Sequence, residues 1–140
     1  MLFPALSDPS DKPAIRFPER TLSYRALRDA SAAVAARVEG AERVAVWASP
    51  APETCVGVIG ALLAGVPAVP INPKSGEREL AHIVSDSAPE LVLSAPGADL
   101  PEGVATLPRT WTSARTSGGG GGWERRRAVR RRAAIKEPQC

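Results

Sequence analysis

The sequence predicts an α/β fold with an open parallel sheet, followed by a tail of different composition. Short apolar runs alternate with helix-length segments in the order strand, helix, strand, helix, strand, which makes two consecutive βαβ units. The pattern stops at residue 109, after which five consecutive glycines and two arginine triplets follow. We therefore predict an incomplete α/β domain over residues 1–109. The tail, residues 110–140, is predicted to be low-complexity, basic and disordered.

A hairpin and a helix are predicted ahead of the sheet. Apolar and charged residues alternate on both sides of a Pro-Glu turn, which is typical of two short antiparallel strands at 14–17 and 20–22. Ser23 is a suitable N-cap for the helix that follows, and Gly40 is a suitable stop.

The three predicted strands of the parallel sheet are short and apolar. Residues 43–48, 68–71 and 90–93 are too short for helices and rich in valine, isoleucine or leucine. Pro70 predicts either an edge position for the second of these strands or a strand that ends there, because proline cannot donate to a strand ladder. The helix predicted over 53–64 is apolar almost all round, so we expect it to be buried.

Charge separates the two parts of the chain. Residues 1–109 carry ten cationic and thirteen acidic side chains, a net charge of −3, whereas residues 110–140 carry eight and two, a net charge of +6. The opening residues lack the basic and apolar regions of a signal peptide, and the longest apolar run, 55–64, is too short to span a bilayer. We expect a cytoplasmic protein with no membrane contact.

A shifted reading frame is our first explanation of the change at Thr110. Tryptophan has one codon and threonine codons begin with AC, so the bases read one position earlier give an apolar residue at 111 and Asp at 112. If the codon of Ser113 is TCN, an apolar residue follows at 113. With G in the silent positions the reading over 110–113 is Asp-Val-Asp-Val, the alternation of a half-buried strand. Two alternatives stay open. Residues 110–140 are either a disordered extension without a function, or an arginine-rich arm that binds nucleic acid, with Trp111 and Trp123 stacking on the bases.

No catalytic or metal-binding constellation is predicted. Cys55 and Cys140 give neither a disulfide framework nor a metal site. We interpret Cys55 as a buried small hydrophobe and His82, the only histidine, as a partly exposed helix residue. Asp99 and Glu102 fall in a predicted loop and are interpreted as solvated charges.

The turn after the first strand of the sheet is unsuited to phosphate. A nucleotide site of the α/β type needs a glycine-rich turn whose amides approach the phosphate, but residues 48–52 contain Pro50 and Pro52. A self-sufficient flavodoxin-like binder is therefore only our third hypothesis for the whole chain.

Two stretches resemble one enzyme family. Thr-Leu-Ser-Tyr-Arg-Ala-Leu at 21–27 and Ala-Leu-Leu-Ala-Gly-Val-Pro-Ala-Val-Pro-Ile-Asn-Pro at 61–73 are similar to the beginning of AMP-forming acyl-CoA synthetases, whose superfamily also holds adenylation domains and luciferases. Within that family, the segments at 72–76 and 79–89 are most similar to malonyl-CoA synthetases. The resemblance covers residues 2–109.

The resemblance implies a parent enzyme that adenylates a carboxylic acid with ATP and Mg²⁺, releases pyrophosphate and passes the acyl group to coenzyme A. The family's phosphate loop and catalytic lysine come later in its sequences. Residues 116–118, Thr-Ser-Gly, imitate the start of that loop, but Glu124 stands where its lysine is expected. We therefore expect an N-terminal piece that is inactive alone, without catalytic, cofactor or metal residues of its own.

The resemblance gives two candidates for contact with coenzyme A, Lys74 and Arg78. Both lie near a predicted helix N-terminus and are candidates to contact a coenzyme A phosphate, with a solvated helix end as the alternative. The expected partner is the remainder of the synthetase. The alternative function is a small α/β interaction or nucleic-acid-binding protein that acts through the arginine-rich tail.

Overall fold

The computed structural model describes residues 2–105, 109–113 and 123–127, the last two segments as backbone only. Its regular elements alternate between strands and helices after an initial 3-10 turn at Pro4–Leu6. The strands are β1 (Pro13–Phe17), β2 (Arg20–Ser23), β3 (Val44–Trp47), β4 (Ala68–Ile71), β5 (Leu91–Ser94), β6 (Arg109–Ser113) and β7 (Trp123–Arg127). The helices are α1 (Tyr24–Val38), α2 (Pro52–Leu63), α3 (Glu77–Ser87) and α4 (Glu102–Ala105).

The hairpin and the first helix are confirmed. β1 and β2 pair antiparallel, with Phe17 opposite Arg20 across the turn. The Oγ atom of Ser23 accepts a hydrogen bond from the backbone N–H of Ala26 at 3.1 Å, which caps the start of α1. At the other end Gly40 has φ of +80°, a conformation that favours glycine over any residue with a Cβ atom.

The predicted parallel sheet is also confirmed. β3 is central and pairs in parallel with β4 on one side and with β5 on the other. The chain therefore runs from β3 outwards to β4 and then crosses back over β3 to β5. With right-handed crossovers, α2 and α3 lie on opposite faces of the sheet.

Pro70 lies in an edge strand of the sheet, which is one of the two positions predicted for it. β4 is the first strand in the order β4-β3-β5-β6-β7. The N–H of Val44 donates to Pro67 O at 3.0 Å, and the N–H of Ala48 donates to Ile71 O at 2.9 Å. Successive backbone groups of β4 point alternately toward and away from β3, so the nitrogen of Pro70 points away from β3. The N–H that proline lacks is therefore not needed for a hydrogen bond between the two strands.

Two hydrophobic cores cover the two faces of β3. Val44 and Val46 belong to a core shared with α1 and α2. Ala45 and Trp47 belong to a second core, which contains Leu80 of α3 and Val104 of α4. Every residue of β3 is buried, as expected for a strand with helices on both faces.

Burial of α2 is less complete than the sequence predicts. Gly60 and Ala61 face α1 and the sheet and are buried, but Leu62 and Leu63 are each 38% exposed. The helix is apolar on more sides than α1 and the sheet can cover, so part of its surface stays in solvent.

The sheet extends into the segment predicted as a disordered tail. β6 pairs in parallel with β5, and β7 pairs antiparallel with β6. Disorder is therefore not confirmed for these two segments. The pairing of β6 satisfies the backbone groups of β5 that a three-stranded sheet would leave open. The other residues of the predicted tail lie outside the described residues. Across the described part of the chain, every helix is too short or too polar to cross a bilayer.

Candidate functional site at the carboxyl edge of the sheet

The candidate site lies where β3 and β5 end. The connection that follows β3 runs to β4 on one side, whereas the connection that follows β5 runs to β6 on the other side, so the strand order reverses between β3 and β5. In open α/β sheets, ligands bind in the crevice outside the carboxyl ends of the strands at such a reversal. The turns that form this edge are residues 48–51, 72–76 and 95–101.

The polar backbone groups of the turn after β3 form hydrogen bonds within the turn and with the start of α2. The N–H of Ser49 donates to Trp47 O at 2.9 Å, and the N–H of Ala51 donates to Ser49 O at 2.8 Å. The hydroxyl of Thr54 also donates to Ser49 O, at 2.6 Å. Prolines at 50 and 52 have no amide N–H, so this turn offers few free donors toward the crevice.

The turn after β4 directs the chain into α3. The Oδ1 atom of Asn72 accepts from the N–H of Lys74 at 3.0 Å, and Asn72 O accepts from the N–H of Ser75 at 3.0 Å. Gly76 is the N-cap residue of α3 and has no side chain to cap it. The first amides of α3 are thus not capped by a side chain.

Lys74 and Arg78 are both exposed at this end of α3, close together in sequence around its first turn. Glu77 and Glu79 occupy the same turn and balance their charge. A phosphate at this position would meet two cations and the helix N-terminus, but also two carboxylates. A role in binding coenzyme A stays a proposal.

The other residues considered in the sequence analysis lie on different elements and do not form one site. His82 is exposed on α3 and Cys55 is partly buried in α2. Asp99 is exposed in the loop after β5. Glu102, predicted in a loop, instead begins α4, where an acid is favoured by the helix dipole. Within the described residues, no group of three or more His, Cys, Asp or Glu side chains could hold a metal ion.

Sequence reasoning missed a groove between α3 and α4, because α4 has four residues and is too short to show a helical period. The groove has a volume of about 640 Å³. We call it the α3–α4 groove. It is lined by Ser75, Glu77, Leu80, Ala81, Val84, Ser85, Pro101, Glu102, Gly103 and Val104.

Comparison with known proteins gives a single family. The model of the family described as "AMP-binding enzyme" matches residues 4–124. The match runs beyond residue 109, where the resemblance in the motifs ends, and takes in β6 and the start of β7. This extension agrees with the structure, in which β6 continues the sheet beside β5.

Solved structures of the same kind share the fold. A malonyl-CoA ligase in a ternary product complex with methylmalonyl-CoA and AMP is 58% identical, with a TM-score of 0.69 over 75% of this chain and 23% of that one. The N-terminal subdomain of NpsA from Klebsiella oxytoca is 25% identical, with a TM-score of 0.57 over 67% of this chain and 26% of that one.

Curated relatives are much longer than this chain. Surfactin synthase subunit 3 from Bacillus subtilis (strain 168) is 32% identical over 108 residues, which are 74% of this chain and 8% of the relative. Bacitracin synthase 3 from Bacillus licheniformis is 33% identical over 89 residues, 60% of this chain and 1% of the relative. With the family match over most of its length and the shared fold, the chain belongs to the AMP-binding enzyme family of adenylate-forming ligases.

Proposed function

We propose that this chain is an N-terminal subdomain of an ATP-dependent acid–thiol ligase of the malonyl-CoA synthetase type, and that it does not adenylate a carboxylic acid by itself. The observation that carries the substrate class is the 58% identity to the malonyl-CoA ligase. The chain corresponds to 23% of that ligase, so most of the length that a complete enzyme of this kind needs lies outside the match.

The described residues fit a supporting role better than a triphosphate site. In the turn after β3, the amides of Ser49 and Ala51 donate hydrogen bonds within the turn, and two further positions are prolines. In the complete ligase, ATP with Mg²⁺ would supply the adenylyl group, and coenzyme A would supply the accepting thiol. The residues of this chain would hold the sheet and orient its carboxyl edge, and Lys74 and Arg78 would contact a coenzyme A phosphate.

The register of β6 supports a shifted frame at Thr110. Residue 111 pairs with Leu93, which belongs to the core under α1 and α2, and paired residues of parallel strands share a face. Residue 113 lies on that same face by alternation. The shifted reading places valine at both positions, whereas the present chain has Trp111 and Ser113. On this face the shifted reading is the more apolar of the two, whereas on the opposite face it places aspartates at 110 and 112, with residue 110 paired to the buried Val92.

The frame is tested at the level of the gene. Resequencing across codon 109 and reading all three frames should recover a continuing α/β pattern with a Pro-Lys-Gly phosphate loop downstream. An immediate stop in the shifted frame would show that residues 110–140 are the genuine continuation of this chain.

The function is tested by ATP–pyrophosphate exchange. The purified chain should give no exchange with malonate above the protein-free blank. The frame-restored ligase, purified in the same way, should give malonate-dependent exchange and serves as the positive control. Exchange by the isolated chain would contradict its proposed inactivity, and a restored ligase that activates other acids but not malonate would contradict the substrate class.

A further inference from the structure

Helix α2 has two apolar sides, and within the described part of the chain only one of them is covered. Its inner side is buried against α1 and the sheet, with Gly60 next to Val34 and Gly57 next to Leu93. Its outer side consists of five apolar residues that are all partly or fully exposed: Cys55, Val58, Ile59, Leu62 and Leu63. We call these five residues the outer stripe of α2.

The spacing of the outer stripe is that of a helix–helix contact. Residues 55, 58, 59 and 62 follow the intervals of three and four that place side chains on one face of a helix. The twelve residues of α2 make a helix about 18 Å long. Leu62 and Leu63 are each 38% exposed at its carboxyl end. A contiguous apolar surface of this kind marks an interaction site.

The outer stripe is complementary to itself because it is uncharged. Residues 54–73 contain no charged side chain, so two copies of the stripe meet without burying a charge and without like-charge repulsion. The exposed sides of the other long helices do carry charges, such as Asp29 on α1 and Asp86 on α3. We propose that the outer stripe is the interface of a two-fold dimer, in which α2 packs antiparallel against α2 of a second copy of this chain.

The two ends of α2 favour the antiparallel arrangement. At the amino end, Arg20 Nη1 lies 3.0 Å from Glu53 Oε1, and the Arg20 side chain is 55% exposed. The last turn of α2 has no basic residue of its own. An antiparallel pair brings Arg20 of each chain toward the carboxyl end of the other α2, where a cation is favoured. The two-fold axis then passes near residues 58 and 59, so residue 55 of one chain lies near residue 62 of the other.

Pro70 opposes a second kind of contact at the neighbouring edge of the sheet. β4 is an edge strand, and Pro70 is exposed in it. Its nitrogen points away from β3, toward any strand that would add to this edge, and it has no hydrogen to donate. Strand addition to β4 is therefore disfavoured, and the contact between copies is made by helices in a closed pair. This dimer does not depend on which acid a complete ligase activates.

Sedimentation of the full 140-residue chain measures the association. A contact between two short helices belongs to the small, weak class of interfaces, so dimer should appear at about 100 μM and dissociate on dilution to about 1 μM. Leu62→Glu places a carboxylate of each chain in the contact and should weaken dimerisation at least about tenfold. Ala36→Glu is the matched control and should leave dimerisation unchanged. Ala36 is exposed on α1, two positions past Val34, and is therefore turned away from α2.

A thiol at position 62 tests the arrangement without adding a charge. Cys140→Ser leaves Cys55 as the single thiol. With Leu62→Cys added, oxidation by copper phenanthroline should give a covalent dimer, through a disulfide between residue 55 of one chain and residue 62 of the other. Thiols seven positions apart in one helix are about 10 Å apart, too far for a disulfide within the chain. Ala36→Cys in the same background is the control and should give no covalent dimer.

A chain that stays monomeric at every concentration would overturn the proposal and assign the outer stripe to a different partner. A mass that keeps growing beyond the dimer would also overturn it. So would a folded Leu62→Glu variant, checked by circular dichroism, that dimerises as well as the unsubstituted chain, or cross-linking of Ala36→Cys as efficient as that of Leu62→Cys. If Leu62→Glu unfolds the chain, the cross-linking decides.

Discussion

A Cβ atom built on Gly60 would lie 2.5 Å from Val34 Cβ and 2.8 Å from Ser31 O. α1 and α2 therefore pack closely at this point because Gly60 has no side chain. Gly60→Ala should therefore destabilise the chain by about 1–3 kcal/mol through overpacking. Gly57→Ala is the matched control in the same helix, because its Cβ atom would meet Leu93 and Val46 at 3.4 Å, a contact that small adjustments relieve.

Urea unfolding measures both variants. Gly57→Ala should be neutral, or stabilising by up to about 1 kcal/mol, because alanine is the better helix former. Equal stabilities for the two variants would show that the backbones of α1 and α2 move apart at no cost.

Replacement by alanine should have opposite effects at Ser31 of α1 and at Ser23, the N-cap residue of that helix. Ser31 is fully buried, and its Oγ atom has no hydrogen-bond partner among the described residues. Ser31→Ala removes that unsatisfied group and should stabilise the chain by about 1 kcal/mol. Ser23→Ala removes the N-cap of α1 and should destabilise it by about 1 kcal/mol. Chemical unfolding of both variants decides the signs, and a loss of stability in Ser31→Ala would mean that its hydroxyl has a partner, for example water.

One arginine ties α3 to the central strand. The Nη1 atom of Arg43, next to β3, donates to Ser87 O at the end of α3 at 2.5 Å. Arg43→Met keeps an apolar stem but leaves that carbonyl without its donor, so it should cost about 1–2 kcal/mol in unfolding free energy. Amide exchange should also speed up most in the last turn of α3. Lys74→Met, at an exposed position, is the control and should change neither quantity.

α2 and β4 show how far elements can be predicted. The restriction of Pro70 to an edge or an end of a strand follows from that residue alone, because the missing N–H is a property of one residue. The exposure of Leu62 and Leu63 does not follow from α2 itself, because it depends on which neighbours reach that side of the helix. The groove beside α4 is hidden for the same reason, since it exists only between two packed helices.

Coenzyme A binding belongs to the complete ligase and is predicted for it. In the frame-restored enzyme, Lys74→Ala together with Arg78→Ala should raise the KM for coenzyme A about tenfold, the loss expected for one charge-assisted contact. Malonate-dependent ATP–pyrophosphate exchange should be unchanged. Lys12→Ala, an exposed cation next to β1, is the control. An unchanged KM would mean that Lys74 and Arg78 form only a solvated helix end.

The sequence by itself determined the order of strands and helices, the cap at Ser23, the restriction of Pro70 to an edge or an end of a strand, and the family resemblance. These features depend on local periodicity, on the chemistry of single residues and on motif similarity, and each of these can be recognised within a short stretch of sequence. Only the tertiary structure decided the pairing of β6 and β7 with the sheet, the Arg43–Ser87 contact and the α3–α4 groove. Each of these joins segments far apart in the chain, and their meeting is set by packing across the sheet.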